Sequence, residues 1–151
     1  MMAELDEKDL AIIRLLQMDA RMPASTIAEK IGMPENTVRF RIKRLLERGV
    51  IRGFVAIVDP RKIGLTVSAA FMIKLDPSLR EEAIGELKNW REILNIYQFS
   101  GEYDLIAVAF ARDLADLQNL IDKVKRVNGV REVNVLVTTR VIKSQPTYIL
   151  E

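Results

Sequence analysis

Apolar positions recur at helical spacing through the first third of the chain and alternate through most of the remainder. Leu10, Ile13 and Leu16 share one helical face, Asp6 is placed to cap it, and Leu5 and Leu10 are placed as a hydrophobic staple. The spacing predicts a first helix from Asp6 to about Asp19. A second apolar face, Ile27, Ala28 and Ile31, predicts a helix from about Ala24 that stops at Gly32, a residue able to take a left-handed cap. After the short turn Gly32-Met33-Pro34, a third helix is predicted from about Glu35 to Arg48, stopped by Gly49. Two helices joined by so short a turn make a helix-turn-helix.

On a wheel of the third helix, Val38, Ile42, Leu45, Leu46 and Gly49 fall in one arc. Asn36, Arg39, Phe40, Lys43 and Glu47 occupy the opposite arc, with Arg44 at its edge and Thr37, Arg41 and Arg48 on one flank. The polar face is basic and carries one aromatic ring.

Further along, Gly53 to Asp59 alternates weakly and predicts a strand, and Asp59-Pro60-Arg61-Lys62-Ile63-Gly64 reads as a hinge. Val67–Leu75 predicts a strand, Ser78 to Asn89 a helix with a Ser78/Glu81 capping box, and Ile93 to Phe99 a strand. The pattern then repeats as Tyr103 to Ala111, a helix capped by Asp113 with Leu114, Leu117, Leu120, Ile121 and Val124 on one face, and Val130 to Ile142. Two split β-α-β units in series make a ferredoxin-like sandwich with both helices on one sheet face. The expected class is α+β: a helix-turn-helix, winged-helix-like domain over residues 1–52, a strand and hinge over 53–66, a ferredoxin-like β-α-β-β-α-β domain over 67–142, and a tail over 143–151. Val133, Val135, Val137 and Val141 alternate with Leu136 and Ile142, and Ala70 and Met72 oppose Ala69, Phe71 and Ile73, so the sheet is apolar on both sides. An open sheet of that kind predicts a homodimer formed sheet to sheet.

Charge sharpens the division. The chain's 151 residues carry 23 basic and 21 acidic side chains, a net +2. Residues 53–151 hold 13 of each and cancel, residues 1–38 hold four basic and seven acidic groups, and residues 39–52 hold six basic groups against Glu47. A compact basic segment therefore follows an acidic one, and a basic helix face of this shape fits the DNA major groove. Asn36 suits adenine, Arg39 suits guanine and Phe40 a thymine methyl, whereas Arg41, Lys43 and Arg44 suit phosphates, with Thr37 beside them. The plainer alternative is a solvated charged face.

Cysteine and histidine are both absent, which removes disulfides, thiolate zinc sites and imidazole bases. No glycine-rich phosphate loop, nucleophile motif or metal-ligand cluster appears, and Asp113/Asp116 reads as helix capping, so neither an enzyme, a cofactor nor a metal is expected. The N-terminus is acidic and the longest apolar run, Leu105–Ala111, is far short of a membrane span, which predicts a cytoplasmic chain without membrane contact.

Leu5-Asp6 to Leu16, Ile27-Ala28 with Ile31-Gly32, Thr37-Val38, Arg41-Ile42, Leu45, Gly49-Val50-Ile51, Asp59-Pro60 and Leu65 together resemble the Lrp/AsnC, or feast/famine, family of bacterial and archaeal transcription regulators. The resemblance covers essentially the whole chain. It departs from the family at Pro23 and Pro34, where a Ser or similar cap is common, and proline can start a helix but offers no side-chain oxygen. The resemblance implies a regulator of transcription that dimerises through its second domain, assembles further into tetramers or octamers, and responds to a small amino-acid effector. It also implies that effectors bind beside a Gly-x-Tyr-Asp signature, here Ser100, Gly101, Glu102, Tyr103 and Asp104, with Thr138, Thr139 and Arg140 as weaker candidates for completing the site. A glycine loop exposes backbone donors to a carboxylate and Asp104 can accept from an ammonium. The same residues also fit a tight turn in which Asp104 bonds its own backbone, and both readings stand at this point. A two-fold dimer reading double-stranded DNA calls for a near-palindromic site. The competing expectation is an architectural DNA-packing protein with little effector response and broad sequence tolerance.

Overall fold

The computed structural model describes residues 5–150, which divide into two compact units. One unit runs up to Ile57 and takes in the segment from Ser144 onward; the other is Val58–Lys143.

The first unit is three helices, α1 (Glu7–Met18), α2 (Ala24–Ile31) and α3 (Glu35–Glu47). Asp6 caps α1, and its side chain and that of Asp9 bond each other's backbone N–H in a capping box. Gly32 ends α2 with φ 64°, the left-handed turn that permits the sharp entry to α3. Pro23 and Pro34 occupy the N-cap positions of α2 and α3 and provide no side-chain bond. Ile12, Leu16, Ile27, Ala28, Val38 and Leu45 form the core between the three helices. No strand follows α3 within this unit among the described residues, so the winged elaboration expected from the sequence is not formed.

The predicted strand over Gly53 to Asp59 is not formed either. Its apolar side chains stand in solvent, Val55 being 82% and Ile57 76% exposed. The alternation is real, but a strand is defined by a neighbour, and the chain lays none beside this segment. The C-terminal tail joins the first unit rather than standing alone. The Gln17 carboxamide accepts from the Tyr148 N–H at 2.7 Å and donates to its carbonyl at 3.0 Å, and Arg14 Nε donates to the Leu150 carbonyl at 2.9 Å.

The second unit holds a four-stranded antiparallel sheet of β1 (Val67–Leu75), β2 (Ile93–Gln98), β3 (Leu105–Ala111) and β4 (Val130–Val137), in the order β2-β3-β1-β4. Helices α4 (Arg80–Leu87) and α5 (Leu114–Lys125) complete the ferredoxin-like arrangement. Ala69, Phe71, Ile73 and Leu75 of β1 pack with Ala83 and Leu87 of α4 and with Leu117, Leu120 and Val124 of α5, so both helices fill one face. On the other face Ala70 lies between Val108 and Leu136, and Met72 between Ile106 and Asn134. Nothing in the second unit covers that face.

Three element boundaries differ from the expectation. Strand β4 stops at Val137 rather than Ile142: only Val67 and Ser68 of β1 lie beyond the Ala69–Val137 pair, too few for the longer strand, and the Thr138 N–H makes the last bond, to the Ser68 carbonyl. Strand β3 begins at Leu105 rather than Tyr103 because the preceding residues make the loop described below. Helix α4 begins at Arg80 after the N-cap Leu79, not at a Ser78/Glu81 box. Asp76 takes Ser78 instead, accepting from its Oγ at 2.6 Å and its N–H at 2.9 Å. The turn before β4 needs Gly129, whose φ is 94° and where a Cβ would lie 2.7 Å from that of Leu79.

The same Asp76 carboxylate accepts from Arg131 at 2.8 Å, and these bonds, the Ser78 hydroxyl foremost, hold its pKa down from 3.8 to about 2. A carboxyl depressed by folding stabilises the fold fully above its unfolded value, and the contribution disappears as pH falls through the folded value. Trp90, the single tryptophan, packs against this unit's core and reports on its unfolding. Asp76→Asn is expected to lower the thermal midpoint read by Trp90 fluorescence at neutral pH, and the gap from wild type is expected to close between pH 3.8 and about 2. A gap of constant size across that range contradicts the assignment.

Candidate nucleic-acid interface and ligand pocket

The outer face of α3 is built by exclusion. Val38 and Leu45 are buried, which turns Asn36, Arg39, Phe40 and Lys43 outward. Phe40 is 63% exposed, a position with no packing explanation within the unit. Thr37 is half-buried on the flank. At the start of α3 the Val38 N–H and Thr37 N–H both bond the Pro34 carbonyl.

The two arginines expected on phosphates are placed elsewhere. Arg41, only 20% exposed, reaches back to α1, where Nη1 lies 2.8 and 2.6 Å from the Asp6 oxygens and 2.8 Å from Asp9 Oδ1. Arg44 Nη2 lies 3.0 Å from Asp9 Oδ2. Asp9 has no solvent exposure. A carboxylate deprived of water must be paired and hydrogen-bonded, and here the partners are guanidinium groups of α3. Arg41 pulls the Asp6 carboxyl below its usual range, helped by the Asp9 N–H, and Asp6 in turn raises Arg41.

The remaining cations of the face also have partners. Arg39 Nε donates to Glu35 at 3.0 Å and Lys43 lies 3.7 Å from Glu47, each one helical turn away. The acidic and basic segments, separate in sequence, are therefore interleaved in space. Both exposed pairs are of the kind worth at most about 1 kcal/mol, so a DNA acceptor can displace them.

In the second unit the sheet divides the expected effector residues into groups. The loop Ser100–Asp104 is closed by the Phe99 N–H on the Asp104 carbonyl at 3.0 Å and anchored by the Asp104 N–H on the Ile73 carbonyl at 2.9 Å. Both Asp104 carboxylate oxygens are used: Oδ2 accepts from the Leu75 N–H at 2.7 Å, Oδ1 from Arg80 Nη2 at 3.0 Å. Glu102 and Tyr103 serve Lys74 instead, Glu102 as an ion pair at 3.3 Å and Tyr103 with its ring centroid 5.0 Å from Nζ. Lys74 also pairs with Glu132 at 3.3 Å, and the two carboxylates, Glu132 first, raise its pKa. A cavity of about 610 Å³ opens beside the loop, lined by Arg80, Gln98, Phe99, Ser100, Gly101 and Asp104.

Thr138, Thr139 and Arg140 are not part of that cavity. They follow β4 beside Ser68, whereas Asp104 sits at Leu75, and that stretch of β1 spans about 23 Å. One chain does not bring the two groups together. Arg80, by contrast, was not singled out from the sequence. Its link to Asp104 depends on how α4 and the β2–β3 loop meet, which no local pattern encodes.

Among the described residues no cluster of His, Cys, Asp and Glu could hold a metal ion, and no helix is long and apolar enough to cross a membrane.

Comparison with known proteins agrees across both units. A family model described as the AsnC-type helix-turn-helix domain matches residues 5–46, and one described as the Lrp/AsnC ligand binding domain matches residues 68–148. The HTH-type transcriptional regulator Ptr1 of Methanocaldococcus jannaschii is 37% identical over 140 residues, covering 92% of this chain and 95% of that protein. The fold superimposes on E. coli AsnC with a TM-score of 0.89 at 22% identity, over 96% of this chain and 99% of the other. It superimposes equally on a Neisseria meningitidis transcriptional regulator in complex with L-Met, with a TM-score of 0.90 at 22% identity over 97% of each chain.

The buried carboxylate gives a direct test. Asp9→Ala leaves Arg44 without a carboxylate and Arg41 with Asp6 alone, and is expected to destabilise the three-helix unit by about 3 kcal/mol, the low end for a broken buried pair because Arg44 can reach water. Helical circular dichroism should then be lost at lower temperature while the Trp90 transition of the second unit stays in place. An unchanged helical transition would show that the pairs carry no net stability.

Proposed function

The chain belongs to the Lrp/AsnC family of HTH-type transcriptional regulators, and from that membership we propose how its two units divide the work. The protein is a DNA-binding transcription regulator with a ligand-binding domain. The first 52 residues read DNA, residues 53–66 act as a hinge, and residues 67–142 dimerise and sense an amino-acid-like effector. The observation that carries the reading is the row Asn36, Arg39, Phe40 and Lys43, outward on a helix that follows a Gly32–Pro34 turn.

Within that row, Asn36 and Arg39 are the base readers, Phe40 meets a thymine methyl, and Lys43 neutralises a phosphate. Thr37 flanks the row. Arg41 and Arg44, held on Asp6 and Asp9, set the helix in place and contribute to DNA binding chiefly through that. The second copy needed for a near-palindromic site docks on the uncovered face of the sheet, around Ala70, Met72, Ile106, Val108 and Leu136. Further assembly into tetramers or octamers follows the family. Relatives are named transcriptional regulators, and the same reading is made here: a binding protein working in the cytoplasm rather than an enzyme.

The architectural reading gains no support from the charge distribution. A packing protein draws its affinity from cations free to meet phosphates, and here Arg39, Arg41, Lys43 and Arg44 all have carboxylate partners.

Selection of bound duplexes from random sequence, repeated with each amino acid present, is expected to return two related half-sites at fixed spacing and a shift in enrichment with particular amino acids. Uniform recovery of all sequences would reject sequence-specific reading. On the selected site Arg39→Ala should cost about 1–3 kcal/mol, with little loss on random DNA. Lys43→Ala should weaken both and lower the slope of log affinity against log salt by about 0.9 per monomer.

A further inference from the structure

We propose that Arg14 and Gln17 of α1, by clamping the C-terminal tail, determine the spacing of the two DNA half-sites that the protein accepts. The inference rests on the two-fold DNA-reading function given above and assigns it a spacing determinant outside the recognition helix.

The chain passes between the two units twice, at Ile57 to Val58 and again at Lys143 to Ser144. The first passage is loose. Val67, the first residue of β1, lies twenty residues after Glu47, the last of α3, a connection able to span at most about 70 Å, and Gly53 to Asp59 within it pair with no strand. A connection of that length and irregularity sets no single distance between two DNA readers in a dimer. The second passage is shorter and its far end is tied down. Tyr148 lies eleven residues after Val137, the last of β4, at most about 40 Å along an extended chain. Gln17 Oε1 accepts from the Tyr148 N–H at 2.7 Å, Gln17 Nε2 donates to the Tyr148 carbonyl at 3.0 Å, and Arg14 Nε donates to the Leu150 carbonyl at 2.9 Å. While the tail is docked, the shorter tether governs.

The clamp reads backbone. Exchange of both bonds with one residue is what an antiparallel neighbour strand offers, and here a side-chain carboxamide takes that part. The tail's own side chains are not what holds it, Tyr148 being 81% and Ile149 92% exposed. Arg14 and Gln17, three residues apart, share the side of α1 opposite the buried Ile12 and Leu16, so the clamp lies on a different helix from the reading row of α3. A few exposed hydrogen bonds set against the entropy of ordering a tail make a clamp that opens readily. It therefore biases the spacing instead of enforcing it. One added turn of duplex, about 34 Å, is comparable with the whole reach of the docked tail and is about half that of the hinge. A site lengthened by a turn is reached by opening the clamp, at the cost of its bonds.

The test uses the full chain and duplexes carrying the selected half-sites: one alone, two at the selected spacing, and two with ten base pairs inserted between them. Affinities are compared for wild type, the double variant Arg14→Ala with Gln17→Ala, Tyr148→Pro, which removes the N–H that Gln17 accepts, and Tyr148→Ala, which keeps it. Wild type should lose about 10-fold on the insertion, the worth of a few exposed hydrogen bonds. The double variant and Tyr148→Pro should lose less than about 3-fold there while binding the single half-site as wild type does, and Tyr148→Ala should behave as wild type throughout. If two half-sites at the selected spacing bind wild type no more tightly than one, the two-fold reading fails and the inference with it. If two bind more tightly than one but wild type and the clamp variants lose equally on the insertion, or if Tyr148→Ala relaxes the spacing as Tyr148→Pro does, the inference alone is overturned. Should helical circular dichroism show that the double variant does not fold, Tyr148→Pro, which lies outside the three helices, decides by itself.

Discussion

Asp9 is a charge with no access to water, and the DNA-reading unit is arranged around supplying it with cations. Arg41 and Arg44 are both drawn from α3, three residues apart and so on one side of that helix. Their attachment fixes the rotation of α3 about its axis. With that side turned to α1, and with Val38 and Leu45 buried, the solvent side can only be Asn36, Arg39, Phe40 and Lys43. The hydrophobic core alone leaves this rotation loosely defined, because small shifts of apolar side chains cost little, whereas misplacing a buried ion pair strands a charge.

The same pairing changes how the protein meets DNA. Four cations of α3 already face carboxylates, which lowers the long-range attraction to a phosphate backbone and with it the affinity for arbitrary sequence. What remains is short-range hydrogen bonding, where the base edge matters. On the proposed reading Arg39 leaves Glu35 to bond a base, and the exchange is favourable only when the new partner offers comparable geometry. Discrimination is favoured by the intramolecular competitor as well as by the reader.

Much of this was legible in the chain, and the failures share one cause. Helices α1, α2, α3 and α5, the caps at Asp6 and Asp113, the Gly32 turn and the duplicated β-α-β order follow from periodicity and local capping chemistry, which act over a few residues. The strand at 53–59, the extension of β4 past Val137 and the Ser78 cap all depended on a partner that local sequence does not name. Charge failed in the same way. The separation of an acidic segment from a basic one described a line, and folding α1 against α3 turned that line into pairs. Arg80 was invisible for the same reason, as its meaning comes from Asp104 at the far side of a strand.

The sheet joins the two roles proposed for the second unit. Strand β1 is paired on both sides, by β3 and β4, and its alternate residues point to opposite faces. Ile73 and Leu75 face the helices and, through their backbone, hold Asp104; Ala70 and Met72 face the uncovered side. The cavity beside Asp104 and the uncovered face of the sheet are thus attached to one strand, within a few residues of each other. A close-packed sheet transmits a displacement of its central strand instead of absorbing it. Coupling still requires that the ligand bind one assembly more tightly than another, since equal affinity for both shifts nothing.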